Sequence, residues 1–378
     1  MVSFVLKYIY MEIQTIDPTE KSILQEKITR KLSNASDKMP IIQKIQDESN
    51  NIIDYVVPIG KDSPIINFNS NGVVKMQFEN AEKNIHRHAI GQFADKFGIP
   101  TTYLKNLATG KEQWERDLAS KLLNEHSTNN ESKRYLLREL NGEVKGVLSD
   151  KYRRLNTAEI YAEFFNACVD QGAKLLDCCY DPTRTYIEFI LPQVVPVQTQ
   201  YNGTTYMVFG LRISNSDYGD GALRVQSYSM QVVCLNGMTR ENLIRQVHLG
   251  KKLPDNLILS NETYKLDTET QASLVRDIVK SAFDSSYLFN EIQNIEKAGS
   301  KLINLDHEVK LLPKLGMRKE EVKSLTDILS DNNPEHGVQG RNTIWKLTQA
   351  MTQVGVQTGN TRRKRDIEDI AGKLITKI

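Results

Sequence analysis

Leu136-Leu-Arg-Glu-Leu-Asn-Gly142-Glu-Val-Lys-Gly-Val-Leu148, Gly210-Leu-Arg-Ile-Ser-Asn215 and Arg224-Val-Gln-Ser-Tyr-Ser-Met-Gln-Val232 are the segments that decide the fold. Apolar and polar residues alternate along them with a period of two, the spacing of strands that bury one face. Asn141-Gly142 between the first two runs is the strongest short-range sign of a tight hairpin. The pattern predicts hairpin strands at 133–140 and 143–148. Further strands at 173–180 and 184–191 flank Asp181-Pro182, and strands at 205–214 and 222–235 flank Asn215 to Gly221. Between hairpin and meander, Ile160, Phe164, Phe165 and Cys168 share one face of a helix, with Thr157 as its expected cap and Gly172 closing it. The order hairpin, helix, meander predicts an α+β fold, a central antiparallel sheet with helical N- and C-terminal additions.

The flanks read less clearly. Asp17-Pro18 is a cap-then-proline entry to a helix, and residues 34–50 are polar enough to read as a loop. Short strands are expected within 52–69 and at 73–78. Ile85, Ala89, Phe93 and Phe97 recur every fourth residue, which predicts a helix from about residue 80 to the stop at Gly98. A second helix follows Ile99-Pro100, with Tyr103, Leu104 and Leu107. This pair resembles a helix-turn-helix, though Thr101, Thr102 and Lys105 are its only side chains suited to reading bases, and a packing hairpin accounts for it as well. His86 and His88 lie on different helical faces and do not make a shared metal site. Another helix is expected at 111–130. After Asn236-Gly237 a short helix from Thr239 and a basic loop at 248–252 are expected. A long helix from Asp267 or Thr268 to about Lys297, helices at 318–330 and 341–353, and a last helix behind the basic tail 357–366 complete the chain. Three regions result: 1–130, 131–260 and 261–378.

The 378 residues carry 49 Lys and Arg against 47 Asp and Glu, so the net charge of +2 neither demands nor excludes a polyanion. No run reaches the about 20 apolar residues of a membrane span. The first ten residues are too short for a secretory signal, and Met11 is a second candidate start. Cys168, Cys178, Cys179 and Cys234 form no Cys-x-x-Cys pair and read as small core residues kept reduced, which points to a cytoplasm.

No phosphate-binding glycine loop, hydrolase nucleophile elbow, zinc-protease motif or dinucleotide fingerprint is present in the sequence. Asp181, Asp217 and Asp220 are a weak candidate for a divalent ion and, with it, a nuclease. Basic residues are more suggestive. Lys151, Arg153 and Arg154 cluster where a strand meets a helix, and Arg184, Arg212 and Arg224 lie in the sheet block. Tyr152, Tyr186 and Tyr228 interleave with them. Cations that grip phosphates beside rings that stack bases are what sequence-indifferent single-strand binding requires. Arg362, Arg363, Lys364 and Arg365 add a compact basic run, although Asp366, Glu368 and Asp369 follow it directly.

Four segments in this order resemble the phage/plasmid-like protein family, a domain of unknown function on phages, plasmids and mobile elements. They are Gln92 to Leu104, Leu148 to Leu155, Val232 to Met238 and Asn342 to Thr352, and the likeness spans roughly residues 80 to 365. The chain departs from the pattern at Asn236-Gly237, where Asn-Thr is expected, and at Gln246-Val-His248, where Arg-His-Thr is expected. The resemblance implies a setting in mobile DNA inside a bacterial host. With the basic residues, the expectation is a non-catalytic protein that binds or anneals single-stranded DNA in replication or recombination. It would form a homo-oligomer and use no metal, cofactor or membrane. The alternative is a virion or host-takeover assembly protein without affinity for nucleic acid.

Overall fold

A computed structural model describes residues 16–69, 73–78, 81–129, 133–150, 152, 155–246, 260–331, 333 and 336–376. Its first helix, α1 (Pro18–Ser33), is capped by Asp17, whose carboxylate accepts from the amides of Thr19 and Glu20. Residues expected to form a loop instead give α2 (Met39–Ser49). The polar average hid an apolar edge: Ile41, Ile42 and Ile45 pack on the core between α2 and the central helix.

The first sheet holds β1 (Ile52–Ile59), β2 (Ile65–Phe68), β3 (Val74–Phe78), β4 (Ala81–Ile85), β5 (Lys133–Leu140) and β6 (Glu143–Ser149), in the order β1-β5-β6-β4-β3-β2. All neighbours are antiparallel except β4 and β6. The hairpin turn is as expected, with Asn141 at φ 51° and Gly142 at φ 84°. Residues 81–85 are strand rather than helix, because they pair with β3 and extend to β6. Helix α3 (Arg87–Lys96) starts later, capped by His86; α4 (Thr101–Ala108) and α5 (Gln113–Thr128) complete the cover of one sheet face. The division expected after residue 130 falls inside this sheet, since β5 and β6 pair with β1 and β4.

Helix α6 (Thr157–Asp170) leads to the second sheet. Its cap is Asn156, leaving the Thr157 hydroxyl free to donate to Asp217 at 2.5 Å. The second sheet comprises β7 (Lys174–Asp181), β8 (Arg184–Ile190), β9 (Val195–Thr199), β10 (Gly203–Asn215), β11 (Leu223–Gln231) and β12 (Asn236–Gln246). Its order is β12-β11-β10-β8-β7, with β9 on the near half of β10. β12 stands where a short helix was expected; Met238 and Ile244 are buried on it, and pairing with β11 overrides its local sequence. The basic loop at 248–252 lies outside the described residues.

The expected long helix is two, α7 (Asn261–Ala282), capped by Ser260, and α8 (Ser285–Ser300), capped by Asp284. Then come α9 (Leu305–Leu311), α10 (Lys319–Asp331), α11 (Ile344–Gln357) and α12 (Thr361–Thr376). Phe164, Cys168 and Val275 of α6 and α7 pack with Phe189, Leu211 and Ile213 on one face of the second sheet. Leu24 and Ile28 of α1 pack with Ile190, Val208 and Met230 on the other. Glu368 of α12 reaches Arg212 on that second face. The architecture is α+β with antiparallel sheets and a helical C-terminal region. Among the described residues no helix is long and apolar enough to cross a membrane.

Candidate nucleic-acid interface

The expected basic residues do not share one wet surface. Arg212 is 1% exposed and Arg365 2%. Arg212 on β10 is the register partner of Glu188 on β8, joined at 2.8 Å, and also binds Glu368 of α12. Arg365 of α12 meets the same Glu188, and Asp177 at 3.1 Å. Burial alone would lower the Arg212 pKa, but Glu188, Glu368 and Asp369 raise it well above the ordinary value. Burial would likewise raise Glu188, yet Arg212 and Arg365 hold it below the usual carboxylate range. Arg212 and Glu188 are therefore both held in their charged forms, and the ion pairs of Arg212 and Arg365 together fasten α12 to the sheet. Lys364 lies 3.6 Å from Glu368. Arg363 turns to the far side and forks onto Glu321 with two bonds of 2.6 Å.

The tyrosines are interior as well. Tyr152 donates to the Ser216 carbonyl at 3.1 Å, with the Arg138 guanidinium 5.4 Å from its ring. Tyr186 is buried with Arg184 at 5.0 Å and Arg365 at 4.9 Å from its ring, and Tyr228 lies 5.2 Å from Arg212. The interleaving of arginine and tyrosine is real, but it builds internal cation–π pairs rather than stacking platforms. Lys151, Arg153 and Arg154 lie outside the described residues.

Three expected arginines do come together, at the open end of the same sheet face. Arg184 begins β8, Arg224 is the second residue of β11, and Arg362 lies in the first turn of α12 near them. Arg245, which the sequence did not single out, is the register partner of Arg224 on β12. Burial lowers the Arg224 pKa, and the nearby charges of Arg184 and Arg245 lower it further against Asp369 at 3.7 Å. Arg362 holds Asp220 at 2.6 and 2.7 Å. Arg184 and Arg245 have no ion pair with any described residue. Ser214 on β10 lies in register between Tyr186 and Arg224. Its hydroxyl is fully buried without a hydrogen-bond partner, as are the Nε atoms of Arg184 and Arg224. The backbone of Gly221 lies against the Arg184 guanidinium; a Cβ there would stand 3.0 Å from Cζ.

The loop between β10 and β11 joins both sheets to this end. His88 and Gln92 of α3 reach the Tyr218 carbonyl at 3.0 and 2.9 Å, and Arg138 of β5 donates to the Asp217 carbonyl at 2.9 Å. Asp181 and Asp220 both accept from the Thr183 hydroxyl, and Asp217 from Thr157. Asp181 and Asp220 thus share one donor while Asp217 has another, and among the described residues no group of three metal-ligating side chains forms. Cys178 and Cys234 are pushed up by burial to about 12 and about 11, so neither is a ready thiolate.

A separate cavity of about 360 Å³ opens on the helical flank of the first sheet, between the end of β2 and helices α3, α4 and α5. Compared with protein-family models, curated proteins and solved structures, the chain matches none of them.

Proposed function

We propose that the chain is a non-catalytic DNA-binding protein that grips the phosphates of a single strand along Arg184, Arg224, Arg245 and Arg362. The observation that supports this most is the like-charge pair Arg224–Arg245, set in register with Arg184 beside it, of which only Arg224 has an ion pair, with Asp369, among the described residues. Like charges directly opposite on neighbouring strands destabilise a sheet. A polyanion laid across them removes that penalty and releases its own counterions. Because Tyr152, Tyr186 and Tyr228 are buried, binding is to phosphate rather than base, and little sequence preference follows. The mobile-element setting, the bacterial cytoplasm and a homo-oligomeric state belong to the same reading.

The test is fluorescence anisotropy of a labelled oligonucleotide of about 30 nucleotides, titrated over a range of salt, with duplex as competitor. Three to four neutralised phosphates give a slope of log K against log salt of about −2 to −3. Absence of saturable binding at low salt contradicts the proposal, and preference for the duplex contradicts its single-strand part.

One observation favours the assembly reading. The two edges of the first sheet are treated differently. The amides of Ile66 and Phe68 on edge strand β2 are occupied by Asn124 and Ser120 of α5 at 2.8 and 3.1 Å. Among the described residues edge strand β1 pairs with β5 alone and leaves Ile53 and Val56 each 48% exposed. An open edge with apolar side chains is a template for strand addition. Native mass spectrometry showing a defined oligomer that binds no oligonucleotide would favour this reading over the first.

A further inference from the structure

The flank cavity has apolar walls and a cationic mouth. Phe68 at the end of β2, Ile90 of α3 and Leu104 of α4 are buried and form its floor. Arg87, Lys105 and Arg116 stand around it; among the described residues no carboxylate is in its lining, and that of Glu115 packs on Gly110 at its edge. Its volume of about 360 Å³ falls in the range of small-molecule sites. Arg87 and Lys105 are exposed and make no ion pair with a described residue. Arg116 is oriented by neutral groups alone. Its Nη1 donates to the carbonyls of Gly110 at 2.7 Å and Lys111 at 3.2 Å, and its Nη2 to Gln113 at 2.9 Å. Its Nε is buried with no hydrogen-bond partner. The backbone and Gln113 thus fix the guanidinium, which has no ion pair with a described residue.

We propose that this cavity binds a small organic anion: a compact apolar body against Phe68, Ile90 and Leu104, with a carboxylate or phosphate at Arg116, Arg87 and Lys105. The apolar floor supplies affinity through burial, and the cations fix orientation and sign. The site lies on the first sheet, away from the arginine row, and does not depend on the nucleic-acid reading.

The probe is 1-anilinonaphthalene-8-sulfonate, an apolar anion whose fluorescence rises on burial. Saturable one-site binding is expected, weakened on the order of tenfold by the exposed double change Arg87→Glu with Lys105→Glu. Ala108→Phe, which fills the cavity from α4 without altering charge, should abolish binding while leaving oligonucleotide affinity unchanged. Failure here and failure of the DNA reading are therefore separable. Decanoate and adenosine 5′-monophosphate serve as competitors: displacement by the first assigns an alkyl carboxylate, by the second an aromatic phosphate. Displacement by neither, or equal probe affinity in the charge-reversed protein, overturns the proposal. The charge-reversed protein keeps the test decisive if Ala108→Phe does not fold.

Discussion

Arg224 and Arg245 sit directly opposite each other on β11 and β12, a cation facing a cation. On the same sheet face Arg212 and Glu188 are opposed in the same manner, but as an ion pair sealed from water. In the first pair Arg224 has Asp369 at 3.7 Å and Arg245 has no ion pair with a described residue, whereas in the second the arginine is bound by both Glu188 and Glu368. That contrast separates the arginines that can meet a ligand from those that hold the fold.

Truncating a buried, paired arginine should therefore damage stability. Arg212→Met leaves Glu188 and Glu368 without their shared cation in the interior. A loss of about 3–5 kcal/mol follows, read as a shift in urea midpoint. Arg365→Met should behave alike, since Arg365 shares Glu188.

A change at the half-exposed Arg362 should not. Its ion pair with Asp220 is partly solvated, with 42% of the arginine side chain exposed. Arg362→Gln is expected to change stability by about 0–1 kcal/mol. A loss comparable to that of Arg212→Met would show that α12 depends on Asp220 rather than on the buried pairs.

The protein should lose stability on mild acidification through His86. This residue caps α3, its Nδ1 accepting from the His88 amide at 3.2 Å. Burial lowers its pKa; Lys145, Arg87 and His88 act the same way, and Glu143 opposes them. The folded pKa lies below the unfolded value, so the contribution is complete above about pH 6.5 and fades as pH falls through the folded value. His86→Asn keeps a capping acceptor that does not titrate. Its melting temperature should fall less between pH 7.5 and 5.5 than that of the unaltered protein; parallel curves would exclude His86 as the cause.

The closed edge of the first sheet can be opened. Asn124 accepts from the Ile66 amide and donates to its carbonyl at 3.0 Å. Asn124→Ala should free both groups, lower stability by about 1–3 kcal/mol and promote self-association, measured by light scattering. An unaltered monomer–oligomer balance would show that β2 is protected by something other than these bonds.

The strands of the central block were legible because a half-buried strand must alternate, and Asn141-Gly142 fixes its turn whatever surrounds it. Their grouping was not legible. Nothing local in residues 133–149 reveals that β5 turns to β1 rather than to the meander. Residues 239–246 read as helix because their strand character comes from β11 alone. At the site the sequence identified Arg184, Arg224 and Arg362, but assigned the same role to Arg212 and Arg365. What separates them is the position of Glu188 and Glu368, which only register and helix docking supply. Asp366, Glu368 and Asp369 directly after the basic run were a partial signal: within α12 they answer Arg363 and Lys364 at 3.7 and 3.6 Å, whereas Arg362 and Arg365 take Asp220 and Glu188 from other elements. Arg245 escapes a sequence reading because the strand that carries it reads as a helix.

The most direct test compares Arg245→Gln, alone and with Arg184→Gln, with the unaltered protein for both thermal stability and oligonucleotide affinity. Neither residue has an ion pair with a described residue, and relief of the opposed charges should leave the melting temperature unchanged or slightly raised. Affinity should fall with each cation removed, and the salt slope should flatten by about 0.7 for each phosphate no longer neutralised. A variant that binds as tightly as the original, with an undiminished slope, would contradict the account and leave these arginines without a polyanion to hold.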